Sequence, residues 1–180
     1  HEMFGGPRKG VDAPNLILHT LDGEEVNLSE YIGKEPIVLE FGSYTCPVFR
    51  EKHESLERLF TEYGDRATFF LIYSIEAHPK GDPSPYSNTE WVTEPNRSRG
   101  ILYRQPANKD GRTKLAEDAR ADLNITVPIL VDDMENSAWQ AYGKAPNAAY
   151  LIGVDGRIKL RQGWFEPSEF RRVLERELAK

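Results

Sequence analysis

The chain has 180 residues, a formal charge of −6, 39% hydrophobic residues and a single cysteine. That length and apolar content suit one domain with its own core and exclude a wholly disordered chain. Its acidic balance, with Lys52 and Arg171-Arg172 set beside glutamates, argues against a nucleic-acid partner, because phosphate binding needs clustered cations.

The chain opens on a Gly/Pro-rich arm, residues 1–14, expected to be irregular; residues 15–180 read as one domain. Leu16–Thr20 and Val26–Leu28 flank Asp22-Gly23 and predict an N-terminal β-hairpin. Ser29 is placed to cap a short helical turn ending at Gly33. Pro36–Phe41 is a short β-rich run that predicts a central strand. Pro47 then starts a helix to Tyr63, with Gly64 as its stop and Phe49, Leu56, Leu59, Phe60 and Tyr63 as its apolar stripe. Ala67–Ile75 predicts the next buried strand, so strand, helix and strand form a parallel crossover. Residues 76–108 show no clear period and are dense in Pro, Ser, Asn and Gly. A stretch of that length is expected to be functional or mobile. Lys109–Leu123 predicts a helix, Val127–Val131 a short strand and Ser137–Tyr142 a short helix. Ala148–Val154 and Arg157–Gln162 form a hairpin around Asp155-Gly156, and Pro167–Leu178 is a final amphipathic helix, with Ser168 near its start. The order implies an α/β domain of thioredoxin-like plan: a mixed central sheet, helices on both faces and an N-terminal β-hairpin.

Apolar stretches such as Ala67–Tyr73 fall well short of the ~20 residues a membrane helix needs. The first residues lack the charged and apolar regions of a signal peptide, and Met at position 3 suggests that an upstream cut sets the start, leaving an anchor open. A lone thiol fits cytosol or periplasm, with the cytosol preferred. One cysteine also excludes an internal disulfide or a CxxC cycle. His1, His19, His53 and His78 are scattered, so no metal site is expected.

Cys46 falls between a buried strand and a Pro-initiated helix. Free amides and the positive end of the helix dipole there favour the reactive thiolate. The competing reading is a small apolar residue packed inertly at a helix start. Thr45 is placed to donate its hydroxyl to the sulfur or to a substrate. Ser43 gives Ser-x-x-Cys where a dithiol oxidoreductase carries Cys-x-x-Cys.

The segment FGSYTCPVF, Phe41 to Phe49, resembles the active-site segment of the iodothyronine deiodinases and their bacterial relatives, where the position of Cys46 is often selenocysteine. LIYSIEAHP (Leu71–Pro79), VPILVDDMENSAWQAYG (Val127–Gly143) and the APNAAYLIGVDGRI hairpin resemble further segments of that family, roughly from Asn15 to Leu178. The resemblance implies a nucleophile at Cys46 that attacks a substrate halogen in an iodinated aromatic, and an external thiol or a thioredoxin-type reductase that regenerates it. No other cofactor is implied, and a homodimer is left open.

His78 falls where the family carries its cleft histidine, and a histidine there donates a proton or orients substrate. Glu76, two residues earlier, is expected on the same side of an extended strand, tuning His78. Pro146 stands where the related folds hold a cis-proline beside the cysteine. Tyr44, Phe49, Tyr86, Trp91, Tyr103 and Trp164 are candidates to line an aromatic cleft, whereas His53 is read as a surface residue. Two departures stand out: Tyr44 replaces the second cysteine common in eukaryotic members, and Pro146-Asn147-Ala148-Ala149-Tyr150 replaces Pro-Glu-Arg-Leu-Tyr. Without that Arg the carboxylate clamp is absent, so thyroid hormone is not the expected substrate. The alternatives are a one-cysteine peroxidase of peroxiredoxin type, which Ser43 fits but Leu39 does not, and a redox-inactive binding domain.

Overall fold

The computed structural model describes residues 4–180; His1 and Met3 lie outside the described residues. Strands β1 (Ile17–Thr20) and β2 (Glu25–Asn27) form the first hairpin, and a 3-10 turn, Leu28–Tyr31, follows. The cap of that turn is Asn27, whose side chain accepts from the amide of Ser29; Ser29 is the capped residue. Then come β3 (Ile37–Gly42), α1 (Pro47–Tyr63), β4 (Thr68–Tyr73), α2 (Glu94–Arg99) and α3 (Lys109–Leu123). The chain continues with β5 (Ile129–Val131), α4 (Ser137–Ala141), β6 (Ala149–Ile152), β7 (Ile158–Gln162) and α5 (Pro167–Leu178).

The seven strands make one sheet in the order β2-β1-β5-β4-β3-β6-β7. β3, β4 and β5 run parallel, while β6 lies antiparallel against β3. The sheet is therefore mixed, with β3 in its interior. Even-numbered β3 positions such as Val38 pack with Phe49, Leu56 and Leu59 of α1, Leu115 and Ala119 of α3, and Phe170 and Leu174 of α5. Ile37, Leu39 and Phe41 point to the other face, which the 3-10 turn, α4 and Tyr142 cover. Both faces of β3 are dry, which explains why its sequence is an almost continuous apolar run.

The helix bounds at Pro47–Tyr63, Lys109–Leu123 and Pro167–Leu178 agree with expectation, each carrying a proline start or a side-chain cap. Differences fall at strand ends. β4 stops at Tyr73 rather than Ile75, because the amides of Ala77 and His78 bond the side chains of Ser43 and Thr45 instead of a neighbouring strand. The aperiodic stretch also contains α2, which begins at a Thr93 cap and ends at left-handed Gly100 (φ 68°). Six residues are too few for a 3.6-residue period to show.

Candidate active site

Cys46 is the N-cap of α1, and its sulfur accepts the Phe49 amide at 3.4 Å. It is 1% exposed. That burial pushes its thiol up to about 11, outweighing the Phe49 and Val48 amides and the Arg50 cation, which pull the other way. Loss of solvation thus opposes the thiolate that the helix end favours.

The residues before Cys46 are fixed one by one. The Ser43 hydroxyl accepts the Ala77 amide at 3.1 Å. Tyr44 donates its amide to the Tyr73 hydroxyl and its own hydroxyl to Asp122, and its ring stacks on Tyr103 at 5.5 Å. The Thr45 hydroxyl donates to Glu76 Oε1 at 2.9 Å and accepts the His78 amide at 3.1 Å. This corrects its expected role: its hydrogen is committed to Glu76, not to the sulfur.

Glu76 is fully enclosed. One oxygen takes the amide and hydroxyl of Thr45, and the other takes the Tyr73 hydroxyl at 2.6 Å. Burial raises its pKa, against the pull of these donors. Gln105 clamps the Glu76 backbone from both sides, at 3.0 and 2.7 Å. The expectation that Glu76 tunes His78 through strand alternation fails, because the strand has already ended. Through the Thr45 hydroxyl Glu76 reaches only the backbone amide of His78, not its ring.

His78 Nδ1 lies 2.9 Å from the Trp91 carbonyl, which only accepts, so the proton sits on Nδ1 and Nε2 keeps its lone pair. The Trp91 ring stands edge-on at 4.5 Å. Burial lowers the His78 pKa, the Trp91 carbonyl opposes that, and Arg50 lowers it further; the neutral ring is favoured. Thr45, Glu76 and the His78 backbone amide therefore form one hydrogen-bonded unit with Thr45 as its hub, and Ser43 and Cys46 adjoin it along the chain.

Pro146 is buried and its peptide bond is trans, a correction to the cis expectation. Phe49 is enclosed in the core with its ring against Gly42 and His53, and presents no face to a ligand. Tyr86 packs on the cluster containing Cys46; its hydroxyl donates to the Lys144 carbonyl and accepts from the Trp139 indole. Trp164 meets Phe4 at 5.7 Å, and Phe4 meets Tyr86 at 6.2 Å.

His53 reverses its expectation. It is 2% exposed, between Glu40 at 2.7 Å and Glu57 at 2.6 Å. The second Glu40 oxygen accepts the Asn147 carboxamide at 2.9 Å. The signal was a carboxylate inside the apolar run of β3, which demands a buried partner. Arg50, Asn96, Tyr73 and Gln105 were also missed; only Arg50, four residues past Cys46, stands at a spacing that points to the loop. Among the described residues, no group of three or more His, Cys, Asp or Glu is placed to hold a metal ion. Among the described residues, no helix is long and apolar enough to cross a membrane.

Solved structures with this fold include a protein from Bacteroides thetaiotaomicron titled a putative protein disulfide isomerase (TM-score 0.67, 17% identity, 97% of this chain and 92% of that one). A thiol:disulfide interchange protein DsbE from Chlorobium tepidum, also putative in its title, is similar (TM-score 0.66, 17% identity, 96% and 99%). Both place the chain among thioredoxin-like folds. A thyroxine 5-deiodinase from Gallus gallus is 31% identical over 154 residues, 84% of this chain and 55% of its own length. A type I iodothyronine deiodinase from Xenopus laevis is 29% identical over 177 residues, 93% of this chain and 63% of its own. The chain thus spans little more than half the length of these relatives. The family profile described as iodothyronine deiodinase matches residues 1–178, and the chain belongs to that family.

Proposed function

We propose that this protein is a thiol-dependent oxidoreductase that removes iodine reductively from an iodinated aromatic compound, with Cys46 as nucleophile. The observation that carries the reading is the family match across the whole described fold, with Cys46 capping α1 and the neighbouring Thr45 hydroxyl accepting the His78 backbone amide. In the first step the Cys46 thiolate attacks iodine. The carbon–iodine bond breaks, its electron pair stays on carbon, carbon takes a proton, and sulfur becomes a sulfenyl iodide. An external thiol displaces iodide to give a mixed disulfide, and a second thiol releases Cys46 as the thiol. The net change is one aryl iodide and two thiols to one arene, one disulfide and hydrogen iodide.

The chain supplies orientation and proton control. Helix amides at the sulfur stabilise the thiolate as it forms. The Nε2 atom of His78, left free by the Trp91 contact, is the group available to bind a phenolic proton or to relay one to carbon. Incubation with an iodophenol and dithiothreitol should release iodide in wild type and none in Cys46→Ser. Equal release by the variant would refute the reading. A second reading, a scaffold that binds without turnover, draws on the near-complete burial of Cys46. No iodide release from wild type, with a thiol that alkylates only after unfolding, would favour it.

A further inference from the structure

Arg50 stands one helical turn beyond Cys46, half-buried. Its Nη1 donates to the Tyr44 carbonyl at 2.7 Å and its Nη2 to Asn96 Oδ1 at 2.7 Å. Asn96, fully buried on α2, donates its own Nδ2 to the Thr45 carbonyl at 2.9 Å. The carbonyls of both residues preceding Cys46 are therefore held by one guanidinium–carboxamide pair. A donor on each offsets the negative ends of the two peptide dipoles that lead into the thiol.

The surrounding charges leave this role to Arg50. Glu40 from β3 and Tyr86 from the stretch between β4 and α2 face Cys46, and neither is a cation. Arg99 from α2, Asp122 from α3, Tyr44 and His78 face Arg50. Arg99 pairs with Asp122 at 3.0 Å, and Glu40 pairs with His53. Glu54 and Glu57 line a cavity of about 400 Å³ that Arg50 also borders. Arg50 thus brings positive charge to the reactive loop in a fixed pose.

We propose that Arg50, held by Asn96, is the positioning residue for the Cys46 thiolate: it fixes the two carbonyls before the thiol and supplies the charge that favours loss of its proton. The proposal rests on Cys46 being the nucleophile, but it concerns the thiol itself. Its test is the rate of Cys46 alkylation by iodoacetamide against pH, in which the thiol proton passes to solvent base and the thiolate displaces iodide. Wild type, Arg50→Met, Arg50→Lys and Asn96→Leu are compared, each with a thermal melt to establish folding.

Arg50→Met should move the midpoint upward and slow alkylation about tenfold below it, since one pKa unit is tenfold in thiolate. Arg50→Lys keeps the charge but cannot hold both partners, and Asn96→Leu frees the guanidinium, so both should fall between. A midpoint that Arg50→Met leaves in place or lowers overturns the proposal. Equal shifts in Arg50→Met and Arg50→Lys also overturn it, because they mark lost packing rather than lost charge. Should Arg50→Met fail to fold, an unmoved midpoint in Asn96→Leu overturns it alone. Alkylation needs no halogenated substrate, so absent iodide release in wild type sinks the proposed function and leaves this test standing.

Discussion

The His53→Gln substitution removes the centre of a buried chain of three charges and exposes a dependence of stability on pH. Burial alone would push His53 down, but Glu40 and Glu57 outweigh it and raise its pKa from 6.5 to about 9. A folded pKa above the unfolded value means a contribution fully present below pH 6.5 and lost as pH rises through about 9. That interval corresponds to about 3 kcal/mol. Glu57, pulled from 4.5 to about 2 by His53 and Thr126 despite its burial, gives the mirror image. Its contribution is present above pH 4.5 and lost as pH falls through about 2. Both describe the same ion pair and are not additive. The Glu57 side chain is 18% exposed, so solvent screens the pair little. Urea unfolding followed by circular dichroism, from below pH 6.5 to above pH 9, should show wild type losing about 3 kcal/mol. His53→Gln leaves two carboxylates without their cation, starts about 3 kcal/mol lower and should be nearly flat over that interval. A flat wild-type profile, or a variant with the wild-type slope, would refute the reasoning.

Two further changes test the packing and the hub around the thiol. A Cβ at Gly42 would run into the Phe49 ring, so Gly42→Ala should cost about 1–3 kcal/mol in urea unfolding; a cost near zero would mean that Phe49 moves freely. In Glu76→Gln, one carboxylate oxygen becomes an NH2 that faces the donors of Thr45 or Tyr73, a loss of about 1–3 kcal/mol. That variant should also release the Thr45 hydroxyl from its present bond and slow iodide release; unchanged turnover would remove Glu76 from the hub.

How much of this was legible depended on the range of the interaction. Helix α1 could be read from Pro47, Gly64 and a period of apolar residues, all local signals. Cys46 and His78 could be named from a junction and a resemblance. What joins them could not, because Thr45 reaches Glu76 and His78 across 31 and 33 positions, and sequence order carries no distance. His53 was misplaced for a related reason. A histidine on a helix looks solvated until the strand in front of it proves to carry Glu40. At the thiol, dipole and desolvation oppose each other, and the burial that weights them is not visible in the sequence.

The position of β3 within the sheet bears on how the chain reaches its active form. Its two neighbours are Thr68–Tyr73 and Ala149–Ile152, one close in sequence and one far. Pairing with the distant partner carries a loop-closure cost that the nearer pairing avoids, so β6 should dock later. Until it does, the sheet stays open beside β3, and Ala149 and Leu151 are missing from the core cluster that holds Cys46. The lone thiol of a growing chain would thus meet oxidants in a more solvated and more acidic form than in the finished protein. The core cluster that holds the sulfur is complete only with the finished sheet.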